Sequence, residues 1–204
     1  MAELRKPGLA AAERAGAKAR PGEPDWGSLA KAARKDLARG DGPGLVALVD
    51  AVQPRLYRFC MFLTGDRQRA EDLCQESLVK AIENLAKLRE PGQFLSWLFK
   101  MAKNEFLDQK RSARNRESET IDDLTGEEGI RSDALKLDPN QQTLAEVHEA
   151  LSRLESEDRL LLILVDMEER SYAEAAEIIG ITEAALRSRL HRARKEFERL
   201  FSAA

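Results

Sequence analysis

The stretch SYAEAAEIIGITEAALRSRLHRARKEF, residues 171–197, constrains this chain more than any other. A short helix over 172–179 must stop at Gly180, which takes a positive φ without a Cβ penalty. Ile181 plugs the turn. Thr182 is a good N-cap for a second helix, and Glu183 falls in its first turn, where the helix dipole favours negative charge. A helix, a short turn containing glycine and a second helix predict a helix-turn-helix that binds double-stranded DNA. At 100° per residue, Leu186, Leu190, Ala193 and Phe197 fall within about 60° of one another and face a core.

The opposite face of that second helix carries Ala184, Ser188, His191 and Lys195, flanked by Arg187 and Arg192. Small residues near its start allow close approach to a major groove. Arg187 and Ser188 can reach base edges, while Arg192, Arg194 and Lys195 can hold phosphates. The candidate contact set is therefore Thr182, Glu183, Ala184, Arg187, Ser188, His191, Arg192, Arg194 and Lys195. His191 lies on this basic face with no nucleophile or carboxylate pair around it, so it fits a phosphate or base contact and not catalysis. The competing use of such a helix is packing against an acidic protein.

The formal net charge of −3 looks wrong for a nucleic-acid binder, but the charge is unevenly placed. Residues 45–116 hold thirteen basic and nine acidic side chains, and residues 183–199 hold six against three. Residues 117–142 hold two basic and eight acidic. Phosphates respond to local charge, within a Debye length of about 8–10 Å.

The rest of the chain also reads as helical. Aromatics are only 5% of the 204 residues, and Pro and Gly cluster instead of recurring regularly, which argues against strands. Residues 1–27 are rich in Ala, Gly, Pro and charge and read as disordered. A short helix near 28–39 precedes a break at Gly40, Gly42, Pro43 and Gly44. Helices are predicted at about 45–63, 66–86 and 93–113, with Pro54 kinking the first or ending a turn. Trp97 is spaced with Phe94, Leu98 and Met101 as a core residue. Residues 141–204 begin with a helix face of Leu144, Val147, Leu151 and Leu154, then an apolar helix core at 160–165. The expected architecture is all-α. A largely disordered extension (1–44) precedes a helical domain (45–116), a flexible acidic linker (117–140) and a second helical domain (141–204).

Cys60 and Cys74 have no CxxC or Cys/His spacing, so no metal site is expected, and they read as reduced core residues of a cytosolic protein. No signal peptide is visible at the start, and the longest apolar stretch is far short of the ~20 residues of a membrane span. There is no phosphate loop, metal-ligand cluster or nucleophile–base pairing, so neither an enzyme nor a bound cofactor is expected.

The C-terminal stretch, with LSRLESEDRLLLILVDMEER before it, resembles region four of bacterial sigma factors of the compact extracytoplasmic-function (ECF) group. LYRFCMFLTGDRQRAEDLCQESLVKAIENL and FLSWLFKMAKNEFLDQKR are similar to region two of the same group. The resemblance implies a cytoplasmic, nucleoid-associated protein that binds core RNA polymerase through its β′ clamp and β flap and directs it to promoters. It also implies restraint by an anti-sigma factor. Region four would read the −35 element as duplex, and region two would capture the −10 element as it opens. Carried over, the polymerase surface is Glu71, Asp72, Gln75 and Glu76. The −10 contacts are Asn84, Lys87, Arg89, Lys100, Lys103, Asn104, Lys110 and Arg111, with Asp108 orienting Arg111. Ala184 and Ala185 stand where larger or polar residues are common in the family. Two alternatives remain at this point: a helix-turn-helix regulator that does not act through core polymerase, and a sigma mimic that titrates an anti-sigma protein.

Overall fold

The computed structural model describes residues 23–40, 42–119 and 139–202, with side chains left out at 114–119 and 139–144. Among these residues there are helices and turns and no strand. The first four helices are α1 (Trp26–Leu37), α2 (Pro43–Thr64), α3 (Arg67–Asn84) and α4 (Phe94–Glu119). Two short 3-10 turns, Leu85–Lys87 and Pro91–Gln93, lie between α3 and α4. The second group is α5 (Pro139–Ser152), α6 (Ser156–Leu162), α7 (Tyr172–Ile179) and α8 (Glu183–Phe201), with a π turn at Ile163–Met167.

Helices α1–α4 form one bundle. Leu48, Val52, Leu56, Phe59 and Leu63 of α2 repeat every three or four residues and are all buried, as an amphipathic helix requires. They meet Leu73 of α3 and Phe94, Leu95, Leu98 and Phe99 of α4. Phe59 and Phe99 stack at 4.5 Å between ring centroids and are fully buried. Pro54 sits inside α2 without ending it. Trp97 is half-buried against this core, 6.2 Å from Phe94.

Two expectations are corrected here. Residues 1–22 lie outside the described residues, but residues 23–27 are ordered: Asp25 caps α1 by accepting from the Ser28 amide at 3.0 Å, and Trp26 is buried. The domain break at residue 44 is also misplaced, because α1 packs along α2 with Ala30 and Ala33 fully buried. Composition made this segment look disordered, yet one large anchor and two small residues suffice for close packing. Asp36 accepts from the Gly44 amide at 2.6 Å, and a Cβ at Gly44 would come within 2.9 Å of Ala32. Arg34 donates to the carbonyls of Leu88 and Ala86, tying α1 to the α3–α4 connector. The linker expected at 117–140 is shortened at both ends by α4 and α5, and residues 120–138 are outside the described residues.

Helices α5–α8 enclose a second core of Leu151, Leu154, Leu160–Val165, Ile178, Leu186 and Leu190. The two cores share a seam. Phe62 of α2 stacks on His148 of α5 at 4.2 Å, and Arg159 of α6 donates to the Leu63 carbonyl at 2.8 Å. Along α4, Ser96 approaches Glu174 at 3.4 Å, Lys103 reaches the Ile179 carbonyl at 3.5 Å, and Lys110 bonds Ser156.

Phe59→Ala is expected to cost about 3–5 kcal/mol, as removing a buried aromatic does. Val79→Ala, 54% exposed, should stay within about 0.5 kcal/mol; urea denaturation of both variants checks the contrast. Burial alone holds His148 below its ordinary value. The unfolded state then binds the extra proton, so stability is complete above about pH 6.5 and falls as pH drops through that value. His148→Phe should flatten this acid-side loss; an unchanged slope in urea midpoints from pH 7.5 to 5.5 would exclude His148 as its source.

Candidate nucleic-acid interface

The helix-turn-helix is assembled from local signals. Ser171 caps α7 through a reciprocal box: its hydroxyl accepts from the Glu174 amide at 3.2 Å, and Glu174 accepts from the Ser171 amide at 3.0 Å. Gly180 ends α7 with φ +90°, and its amide donates to the Ala176 carbonyl at 2.8 Å. Thr182 caps α8 by accepting from Ala185 at 3.2 Å. Leu186, Leu190 and Ala193 are buried, and Phe197 is half-buried, stacked on Phe201 at 5.7 Å.

Thr182, Glu183, Ala184, Arg187, Ser188, His191, Arg192 and Lys195 are all exposed. Arg187 is held in place on this face. It pairs with Glu183 at 3.3 Å and lies over the Tyr172 ring at 5.7 Å, a cation–π contact that restricts a long side chain before any ligand arrives. Arg194 behaves differently from its neighbours. It is half-buried and bidentate to Asp166, at 2.5 and 3.1 Å, so it braces α8 against the π turn and is not a free phosphate ligand. Arg189, absent from the candidate set, is a second brace, bonded to Glu157 and to Asp158 at 2.6 Å. Nothing in the local pattern marks these two arginines, because their partners lie 28 to 32 positions away.

The other candidates fall into two groups on the first bundle. On α3, Asp72, Gln75 and Glu76 are exposed and line a shallow depression with Arg69 and Gln109. Glu71 pairs with Arg67 at 2.9 Å, and Glu76 accepts from Gln109 at 2.9 Å. Arg69 and Gln109 were not anticipated; only the folding of α4 beside α3 brings Gln109 there. In the connector, Lys87 and Arg89 are exposed, and Asn84 accepts from Lys87 at 2.6 Å. Asn104, Lys110 and Arg111 are exposed on α4, with Arg111 paired to Asp108 at 3.4 Å.

Lys100 is half-buried, and Lys103 is 9% exposed at the seam. Burial, then the nearby Lys100 charge, pushes the Lys103 ammonium below its ordinary value. The eight candidate −10 residues thus do not form one open surface in this arrangement. Cys60 and Cys74 are buried neighbours between α2 and α3; the contact with Cys74 and burial push the Cys60 thiol up, so it stays protonated. Among the described residues no His, Cys, Asp or Glu group could hold a metal ion, and no helix is long and apolar enough to cross a membrane.

The family model for Sigma-70 region 2 matches residues 48–116, and that for Sigma-70, region 4 matches residues 144–197. The chain belongs to the ECF sigma factors. It is 35% identical over 153 residues to the ECF RNA polymerase sigma factor EcfG of Rhodopseudomonas palustris, covering 74% of this chain and 81% of that relative. To ECF RNA polymerase sigma factor SigM of Bacillus subtilis it is 32% identical over 148 residues, 72% of this chain and 88% of the relative. Its structure resembles the sigma factor RpoE of Bartonella quintana, solved in complex with the anti-sigma factor NepR. The TM-score is 0.61 at 27% identity, over 78% of this chain and 96% of that one. The fold is also that of CnrH, solved with the cytosolic domain of CnrY (TM-score 0.63, 22% identity, 88% and 99% covered). As an ECF sigma factor, the chain acts in promoter-specific transcription initiation through core RNA polymerase and promoter DNA. This is a regulatory DNA-binding role.

Gly180→Ala in this sigma factor forces a Cβ into a left-handed turn and should cost about 1 kcal/mol or more. Thr182→Ala removes a cap worth about 1 kcal/mol. Ser188→Ala, on the exposed face, should leave the urea midpoint nearly unchanged.

Proposed function

We propose that the two domains divide one promoter between them. Helix α8 enters the major groove of the −35 element. Arg187 and Ser188 contact base edges, Arg192 and Lys195 contact phosphates, and Thr182, Glu183, Ala184 and His191 line the approach. The connector and α4 take the −10 strand as it separates, through Asn84, Lys87, Arg89, Lys100, Lys103, Asn104, Lys110 and Arg111, and so assist melting. The depression around Asp72, Gln75 and Glu76, with Glu71 beside it, docks on the β′ clamp helices, and the C-terminal domain meets the β flap. An anti-sigma partner restrains the free protein in the cytoplasm, and release brings it to the nucleoid.

The observation that carries this reading is the division of arginines on α8. Arg189 and Arg194 are consumed by Asp158 and Asp166, whereas Arg187, Arg192 and Lys195 remain exposed on one side. A helix needed only for packing would have no reason to keep that side basic. Each domain alone offers few contacts; holding both on polymerase raises the effective concentration of the second site once the first is bound. A sigma mimic needs no such face, and a simple regulator needs no acidic depression on α3.

The test is transcription with purified core polymerase on a promoter library. Arg187→Ala should cost about 1–3 kcal/mol at one −35 base pair and relax specificity there. Lys195→Ala should weaken binding evenly across sequences and lower the salt slope by about 1. Asp72→Arg with Glu76→Arg should abolish core binding in a folded chain. Initiation that survives this charge reversal unchanged would refute the docking assignment.

A further inference from the structure

The seam between the two domains contains a cluster of charges drawn from three distant parts of the chain. Glu23, ahead of α1, accepts from Arg55 of α2 at 2.8 Å, from Arg170 at 3.0 Å and from the Trp26 indole at 3.1 Å. Arg55 also donates to Glu168 at 2.6 Å, and Arg58 approaches Glu168 at 3.4 Å. Glu168 and Arg170 are 1% and 5% exposed. Arg170 further meets Glu174 at 3.6 Å and lies 6.0 Å from the centre of the Phe99 ring, inside the first bundle's core. Glu169, between the two, has φ +49°, a sparsely populated conformation for a residue with a Cβ. Glu23 joins Arg55 of the first domain directly to Arg170 of the second, beside the Arg55–Glu168 pair that also crosses the seam.

This cluster sits beside the face of α4 that the second domain covers. Ser96, Lys103 and Lys110 recur every seven residues, about two turns, and each is engaged by a residue of α6 or α7. Lys103 cannot meet a nucleic acid strand while the Ile179 carbonyl lies over it.

We propose that the free chain closes on itself, with Glu23 completing a charged clasp to Arg55 and Arg170 that holds the helix-turn-helix domain over the strand-binding face of α4. The segment before region two is then an intramolecular lock. Docking on polymerase, which separates the two domains along the promoter, must break it. The part of this inference that concerns strand binding rests on the function proposed above for α4; closure itself does not.

The experiment uses the full chain, with donor and acceptor dyes on Val79→Cys of α3 and Glu198→Cys of α8, both exposed positions. Glu23→Ala should lower energy transfer and raise reductive methylation of Lys103, read by mass spectrometry, by about tenfold or more, because its arginine partners are left short of a counter-charge. Helicity by circular dichroism should remain that of the parent, since Glu23 lies outside every helix. Arg55→Met, on the other side of the clasp, should act alike, and the double variant should add little, because both break one cluster. A mixed-sequence 12-nucleotide single strand should bind Glu23→Ala several-fold more tightly than the parent. Unchanged energy transfer and unchanged Lys103 modification in both single variants would overturn the clasp. Variants that open and label at Lys103, yet gain no affinity for the single strand, would support the clasp and overturn the strand-binding role of α4.

Discussion

Helix α4 is packed on two sides, and the whole arrangement depends on its meeting both demands. One side carries Phe94, Leu95, Leu98, Phe99 and Ala102 into the first core, all of them buried. The other presents Ser96, Lys103 and Lys110 to the second domain. With 3.6 residues per turn, one helix can carry these two stripes side by side. The apolar stripe makes α4 a permanent wall of the first bundle. The polar stripe makes its contact with the second domain a matter of hydrogen bonds and charge.

That difference in chemistry decides which contact can be undone. Pulling Phe99 away from Phe59 would return a large apolar area to water, at roughly 25 cal/mol for each Å². Separating Glu23 from Arg170 loses attraction but returns water to both charges, which offsets part of that loss. The seam is not wholly polar, since Phe62 stacks on His148. The buried apolar residues of the two domains form one continuous cluster, and the charged contacts beside it are of the kind that water can replace.

The sequence showed the parts that are locally encoded. Gly180 and Thr182 revealed the turn because a positive φ and an N-cap have few residue solutions. Leu186 and Leu190 revealed which way α8 faces because helical period fixes it. Asp25 and Ser28 carried the same kind of signal for the start of α1, but the surrounding Ala, Gly and Pro outweighed it when the segment was read as a block. What stayed hidden was every pairing between distant positions. Arg194 looked like a phosphate ligand until Asp166 was found beside it, and Lys103 looked exposed until Ile179 lay over it. No periodicity reports a partner in another helix. Residue type and charge can be read along a sequence, whereas the availability of a side chain depends on partners from other helices.

Availability is what reconciles the negative net charge with nucleic-acid binding. Of the basic residues on α8, Arg189 and Arg194 are neutralised by acids of α6 and of the π turn, which add to the negative total without shielding the exposed face. Arg187, Arg192 and Lys195 stand on the opposite side of the helix, beyond those pairs. At physiological salt, a phosphate at that face is within a screening length of Arg192, Lys195 and the Glu183-paired Arg187, while the acids behind α8 are already paired. The chain can therefore be repelled by DNA at long range and attracted at contact. Binding then depends on something that brings it close and holds it there, which is the task core polymerase performs for a sigma factor.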